Sequence, residues 1–222
     1  MTEPRRYVCR ASDPQWLSER KKVVTGSEIA VVMGLSPWKT REALLAEKLA
    51  PDVPIVSRHM WWGSHSEKSN MEAFTKLTGL RTRGTNRFWV RGELGATIDG
   101  FLTTENPRAP LEPCWSPAYR MLGDQLKWVT HVDTRRPLGL VEMKQTEAYR
   151  AKEWAKGVPT YYLYQAQAQM FVTGLTWCVV ACRLGAADMI CHVLEFDAEL
   201  AQEMQDAARE FMAEVNQERG SV

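Results

Sequence analysis

No apolar run in the 222 residues approaches the length of a membrane span, and the opening Met1-Thr-Glu-Pro-Arg-Arg lacks the apolar stretch of a secretory signal. The expected location is therefore the cytoplasm. Five cysteines form an odd, scattered set without a Cys-x-x-Cys pair, so neither a disulfide framework nor a zinc-ribbon spacing is expected. The four histidines, His59, His65, His131 and His192, are equally dispersed. There is no internal repeat and no low-complexity tract, which leaves out solenoids and long disordered arms.

What is present suits a soluble globular domain. With 45% hydrophobic and 25% charged residues, the chain can bury one sizeable core, and one domain over 1–222 is the default. A net charge of +1 hides an asymmetry. Residues 195–222 carry eight acidic and two basic side chains, so residues 1–194 carry 26 basic and 19 acidic ones. A positive body with an acidic tail suits a polyanionic ligand.

Hydrophobic spacing predicts a short helix over 14–22, a second from Ser27 to Gly34, and another near 40–49. A longer helix over 62–77 places Trp62, Met71, Phe74 and Leu77 on one stripe, and Glu67 falls on it too. Strands are expected at 87–91, 94–98, 139–144, 177–184 and 189–196, with Gly185 to Asp188 turning the last pair into a hairpin. A helix over 160–172 and a C-terminal helix over about 197–218 complete the pattern, the latter with Leu200, Met204, Ala207, Phe211 and Val215 at helical spacing. Residues 103–137 contain five prolines and break any long element, apart from a short strand around 125–131. This insertion reads either as a functional loop or as a solvent-exposed excursion.

The most informative stretch is Gly139-Leu-Val-Glu-Met-Lys144. Strand alternation puts Glu142 and Lys144 on one face and Val141 and Met143 on the other. Burying a carboxylate and an amine on an apolar strand is costly unless each has a partner, as when one holds a metal ion and the other faces a phosphate. Asp99, in Gly95-Ala-Thr-Ile-Asp-Gly100, supplies a second carboxylate. Oxygen ligands without histidine favour Mg2+ or Mn2+ over zinc. Arg20 and Ser27, seven apart and flanking Lys21 and Lys22, read either as an anion site at a helix start or as an ordinary cap beside a solvated basic turn.

Asp followed by Glu-x-Lys is the core motif of the PD-(D/E)XK nucleases, and the chain resembles one branch of them, the YqaJ-type viral recombinases that include the phage lambda exonuclease. The resemblance rests on six blocks in order: Trp16–Gly34 with Thr25-Gly-Ser-Glu-Ile-Ala30; Ser36-Pro-Trp-Lys-Thr40 with Glu47-Lys48; Trp62-Gly-Ser-His-Ser-Glu67 with Thr78-Gly79; Gly95–Gly100; Glu142-Met-Lys144; and Trp154–Gly174 with Tyr161-Tyr-Leu-Tyr-Gln-Ala-Gln167. Thr97-Ile-Asp-Gly stands where the family usually has Ser-Pro-Asp-Gly, and Gln145-Thr146 where it often has Cys-Pro.

The resemblance implies a restriction-endonuclease-like α/β sandwich, a central mixed β-sheet flanked by helices. It implies a Mg2+-dependent (Mn2+ substituting) 5′-to-3′ exonuclease on double-stranded DNA ends that leaves 3′ overhangs for recombination. The protein would act in a bacterial host as a phage or prophage product, as a homotrimer, alongside a single-strand annealing protein. It further implies Glu67, Asp99, Glu142 and the Met143 carbonyl as metal ligands, and Lys144 and Gln165 beside them. Arg20 and Ser27 would hold the 5′-phosphate, and Tyr162 would contact DNA. Trp38 and Trp61 are candidates for base stacking, the other tryptophans for packing, and His65 for a structural or solvent-facing role. Two other readings keep the fold: a CRISPR-associated or repair nuclease with an iron–sulfur cluster on Cys9, Cys178, Cys182 and Cys191, and a non-catalytic DNA-binding relative. The position of Cys178 and Cys182 on one predicted strand argues against the first. The intact carboxylate and lysine set argues against the second.

Overall fold

A computed structural model describes residues 6–52, 58–78, 80–103, 139–186 and 188–221. In chain order the elements are β1 (Arg6–Arg10), α1 (Trp16–Lys21), β2 (Val24–Thr25), α2 (Ile29–Val32), α3 (Arg41–Leu49), α4 (Arg58–Thr78), β3 (Arg81–Arg91), β4 (Leu94–Thr103) and β5 (Gly139–Thr146). A 3-10 turn (Ala148–Arg150) leads into α5 (Ala151–Ala155), α6 (Thr160–Thr173), β6 (Trp177–Leu184), β7 (Asp188–Glu195) and α7 (Ala198–Gly220). The fold class is the expected one, helices on both faces of a mixed sheet.

The described strands form one sheet in the order β1-β3-β4-β5-β6-β7, with β2 paired to β4 off that path. Only β5–β6 and β2–β4 are parallel. Both faces of the centre are covered, so β5 and β6 read as near-continuous buried runs. On one face Leu140, Cys178, Val180 and Cys182 pack against Trp154 of α5, Ala166 and Met170 of α6 and Phe211 and Val215 of α7. On the other, Val141, Val179 and Ala181 pack against Phe74 of α4. A smaller cluster of Cys9, Val23, Phe88 and Val90 closes the β1 end, with Trp16 of α1 against it.

Local chemistry sets several boundaries. Thr40 caps α3, its hydroxyl accepting from Ala43 N at 3.3 Å, and Asp197 caps α7 through Glu199 N and Leu200 N, both at 3.0 Å. Gly174 ends α6 at φ 70°, a left-handed position.

The feature that creates a site is a fork in β4. Its C-terminal half pairs with β5 (Gly100 opposite Val141, Leu102 opposite Gly139), whereas its N-terminal end pairs with β2 (Leu94 opposite Val24, Gly95 opposite Thr25). Residues 96–99 lie between these two pairings, at the point where β5 and β2 part. On the opposite edge of β4 the register with β3 slips by one residue between Gly84 and Arg87, with Asn86 at φ 45°. That bulge lies across from Asp99, and such irregularities re-aim side chains beside functional sites.

Four readings need correction. The long helix begins at Arg58 rather than 62, and Trp62 is 59% exposed, because the apolar stripe meets the sheet only from Met71 onward. β3 and β4 run to 11 and 10 residues, twice the expected lengths, since their pairing continues across the bulge. On α7 the fully buried alanines are Ala201 and Ala208, not Ala207. The helix expected from Ser27 to Gly34 is only the four residues of α2. The insertion at 103–137, apart from Thr103 in β4, lies outside the described residues, as does the short strand read inside it.

Gly139 is where packing is least forgiving. A Cβ there would lie 2.3 to 2.7 Å from three ring atoms of Trp177, itself buried to 1% exposure. Gly139→Ala should destabilise the fold by about 1–3 kcal/mol through overpacking, read as a lower urea midpoint at unchanged slope. An unchanged midpoint would mean that the Trp177 ring moves freely.

Candidate active site at the strand fork

Glu142 is 1% exposed in the middle of β5, and a carboxylate so placed must be answered by charge and hydrogen bonds. Its Oε1 meets Lys144 Nζ at 2.5 Å and accepts from Gln165 Nε2 at 2.6 Å, and its Oε2 accepts from Gln169 Nε2 at 2.5 Å. Gln165 and Gln169 are one turn apart on α6, so both amides reach the sheet from one helix face. Gln165 Oε1 accepts in turn from Lys144 Nζ at 3.0 Å, closing a triangle of carboxylate, ammonium and amide. Gln169 Nε2 also donates to Thr97 O in the fork at 3.2 Å, and its own Oε1 is buried with no hydrogen-bond partner.

Asp99 stands beside this triangle. Met143 N donates to its Oδ2 at 3.0 Å, tying β4 to β5 just past the last paired residues. Burial pushes its pKa well above the ordinary carboxylate range, and the neighbouring Glu142 raises it further. Glu67, from the middle of α4, is raised for the same two reasons. Burial opposes the Lys144 ammonium, but Glu142 and Asp99 outweigh it and hold its pKa above the usual value. Three carboxylates therefore share one ammonium.

Among the described residues no three His, Cys, Asp or Glu side chains approach closely enough to enclose a metal ion. Glu142 spends its oxygens on Lys144, Gln165 and Gln169 instead. The groups present nonetheless suit a hard divalent cation: all-oxygen donors, two carboxyls whose pKa is raised by burial and then by Glu142, and an unpartnered amide oxygen on Gln169.

The same cleft, about 250 Å3 in volume, continues to a second group of polar residues. Arg20, Thr25, Ser27, Glu67, Asp99, Glu142, Lys144 and Gln165 all line it. Arg20 Nη2 donates to Thr25 Oγ1 at 3.4 Å and Ser27 Oγ at 3.5 Å, and its guanidinium lies 4.6 Å from the centre of the Trp16 ring. Gly26 lets this loop approach α6, since a Cβ there would be 3.3 Å from Gln165 O.

Beneath the loop, Lys48 Nζ contacts Glu28 Oε2 at 2.6 Å, Arg20 O at 2.9 Å and Val23 O at 2.7 Å. Glu28 Oε2 also accepts from Thr25 N at 2.8 Å. One buried cation thus fixes α1, β2 and the start of α2 relative to each other. Although burial opposes the Glu28 carboxylate, Lys48 and Arg20 outweigh it and lower its pKa. From α7, Arg219 donates to Lys21 O and Lys48 O at 3.2 and 3.0 Å.

The expected residues Arg20, Ser27, Glu67, Asp99, Glu142, Met143, Lys144 and Gln165 thus meet in one cleft. Tyr162 is not among its lining residues: it lies behind Lys144, whose Nζ is 4.7 Å from the ring centre. A helix start is not what this loop offers an anion, because the four residues of α2 are too few for an appreciable dipole; the polar groups facing the cleft here are the Arg20, Thr25 and Ser27 side chains. His65 stacks on Trp61, away from the carboxylates. Burial pushes the Cys182 and Cys191 thiols up to about 12, which ill suits thiolate ligands of a cluster.

Sequence reasoning gave no role to Thr25, Glu28, Lys48 or Asn70. Asn70, 2% exposed and one turn after Glu67, donates to Gln145 Oε1 at 3.1 Å and accepts from Arg183 Nη1 at 2.9 Å, locking α4 to the sheet. Its helical spacing from Glu67 was the available signal.

Comparison with known proteins places this cleft among relatives. A family model described as the YqaJ-like viral recombinase domain matches residues 15–176. An uncharacterized protein YqaJ from Bacillus subtilis (strain 168) is 24% identical over 209 residues, 90% of this chain and 55% of that protein, so the chain spans about half the length of this curated relative. An alkaline exonuclease (LHK-Exo) from Laribacter hongkongensis superposes with a TM-score of 0.66 at 21% identity, over 93% of this chain and 94% of that one. Its complex with dAMP gives 0.63 at 22% over the same shares. A phage-related exonuclease from Haemophilus somnus 129PT gives 0.51 at 13%, over 89% of this chain and 96% of that one. At these identities the superpositions establish the fold.

The charge excess has a thermodynamic consequence. A carboxyl whose folded pKa is raised above its unfolded value makes the folded state bind the extra proton, so stability falls as pH climbs from about 4 toward the folded pKa. In the presence of a chelator at neutral pH, Asp99→Asn should melt higher than the unsubstituted protein, and the gap should close as the pH is lowered below about 4. A lower melting temperature at neutral pH would show Asp99 to be already neutralised.

Proposed function

The chain belongs to the YqaJ-like viral recombinase family, and we propose that it is a metal-dependent 5′-to-3′ exonuclease on double-stranded DNA ends, leaving 3′ single-stranded overhangs for phage-type homologous recombination. The observation that carries this reading is that the Glu142–Lys144 pair and the Arg20–Ser27 pair open into one cleft. A general hydrolase needs only the first. A terminal-phosphate site beside the reacting phosphate makes the enzyme start at an end.

In this reading Glu67, Asp99, Glu142 and the Met143 carbonyl hold Mg2+, with Mn2+ able to substitute. The ion would lower the pKa of the attacking water and draw off charge from the phosphate. Lys144, held by Glu142, Gln165 and the Tyr162 ring, offsets negative charge as it builds on the phosphoryl oxygens. Gln165 keeps the Lys144 ammonium aimed and can release Glu142 when the cation binds. Arg20, with Thr25 and Ser27 beside it, takes the dianionic 5′-phosphate and sets the register of the strand. Tyr162 serves this site by supporting Lys144 rather than by touching DNA.

The reading extends to a homotrimer acting in the cytoplasm of a bacterial host, handing its 3′ strand to a single-strand annealing protein. A monomer by sedimentation that still digests long duplexes processively would exclude the trimer.

Two substitutions test the division of labour. Lys144→Ala should lower magnesium-dependent digestion of a linear duplex by about 100-fold or more. Arg20→Ala should weaken action on 5′-phosphorylated ends by about 1.5–3 kcal/mol, roughly 10- to 150-fold, and leave 5′-hydroxyl ends almost unaffected. Equal slowing on both ends would reduce Arg20 to a structural or remote DNA contact.

A further inference from the structure

Beyond the cleft, a chain of aromatic rings leads from Lys144 to the surface. Tyr162, under the Lys144 ammonium, stacks on Trp154 with centroids 5.6 Å apart and planes at 29°. Trp154 is fully buried, and its carbonyl accepts from His192 Nε2 at 2.8 Å, so the base of this stack is fixed. Tyr162 meets Tyr161 edge-on at 4.4 Å, and Tyr161 meets Trp38 in the same way, also at 4.4 Å. Trp38 is 63% exposed.

The surroundings have a definite chemistry. Arg150 Nη2 donates to the Tyr161 hydroxyl at 2.5 Å and pairs with Glu153 at 2.7 Å. Tyr149, next to Arg150, is 82% exposed, and Lys152 and Lys156 on the same short segment are exposed as well. An exposed indole braced edge-on by a tyrosine, tied to a segment that carries a second exposed ring, Lys152, Lys156, Glu147 and the Arg150–Glu153 pair, offers a flat apolar face beside a surface of net positive charge. Unstacked bases on a phosphate backbone match both features, whereas duplex DNA hides its base faces.

We propose that Trp38, braced by Tyr161, is a stacking platform for the bases of a single DNA strand passing the active-site cleft, with Lys152 and Lys156, on the segment that Arg150 ties to Tyr161, meeting its phosphates. This rests on the nuclease reading above for the source of that strand, and on the ring contacts that join Trp38 through Tyr161 and Tyr162 to Lys144. The platform gives the separated strand a sequence-tolerant hold outside the cleft.

The test uses the full chain with a chelator present, so that binding is read without cleavage. Fluorescence anisotropy would measure the affinity of the unsubstituted protein, Trp38→Ala and Trp38→Tyr for labelled oligo(dT) and for an abasic phosphodiester strand of equal length. Trp38→Ala should bind oligo(dT) about tenfold more weakly, Trp38→Tyr should keep most of the affinity, and all three should bind the abasic strand alike. Unchanged binding of oligo(dT) by Trp38→Ala would overturn the proposal. So would an equal loss on the abasic strand, which would make Trp38 structural. A changed sedimentation coefficient with intact oligo(dT) affinity would assign the surface to a second copy of the chain and overturn it too. If the unsubstituted protein grips oligo(dT) through Trp38 yet digests no duplex in magnesium, the exonuclease reading falls while the platform stands.

Discussion

A charged carboxylate on a fully buried central strand is the constraint around which this molecule is arranged. Glu142 could be tolerated there only with a counter-charge and hydrogen bonds in fixed positions. The chain supplies them from its own strand, as Lys144 two residues on, and from one face of α6, as Gln165 and Gln169. Those contacts require α6 to lie across β5, and they require β4 and β5 to part where they do, because Gln169 must also reach Thr97. The fork in the sheet and the polar cluster are thus two aspects of one solution.

Compensation is incomplete in a telling way. Met143 N and Lys144 soften the charge of Asp99, but burial and Glu142 still push its pKa upward, and Glu67 is pushed in the same direction. A core evolved for stability alone would have little reason to keep such an excess. The pair Glu28–Lys48 is better provided with partners: its ammonium has a carboxylate and two carbonyls, and the carboxylate has a backbone amide as well, although burial still lowers the Lys48 pKa. The Asp99–Glu142 group lines the cleft itself, whereas the Glu28–Lys48 pair braces the segment that carries Arg20, Thr25 and Ser27.

Much of this was legible before any coordinates. Period-two alternation over 139–144 separates Glu142 and Lys144 from Val141 and Met143, and the first two meet Gln165 of α6 while the other two belong to the core under α4. Helical spacing put Glu67 on the buried side of α4, and the Arg20–Ser27 spacing located the second end of the cleft. Long-range partnerships were not legible. Lys48 reads as a surface lysine of an amphipathic helix until α1 and β2 are seen folded over its ammonium. Asn70 acquires its meaning only when Gln145 and Arg183 arrive from other strands. Trp62 fits an apolar stripe by spacing, yet among the described residues it joins no core cluster, so periodicity alone overstates its burial. Tyr162 is a similar case, since only the packing of α6 shows that its ring faces an ammonium.

The central proposal is that Asp99 and Glu67, buried beside Glu142, bind a divalent cation. Calorimetric titration of Mn2+ into the chelator-stripped protein, repeated at lower pH, tests it most directly. Saturable binding that weakens as the pH is lowered is expected, because ion and proton compete for the same carboxyl oxygens, and Asp99→Asn should lose the binding. Absence of saturable binding, or binding that survives Asp99→Asn, would contradict it.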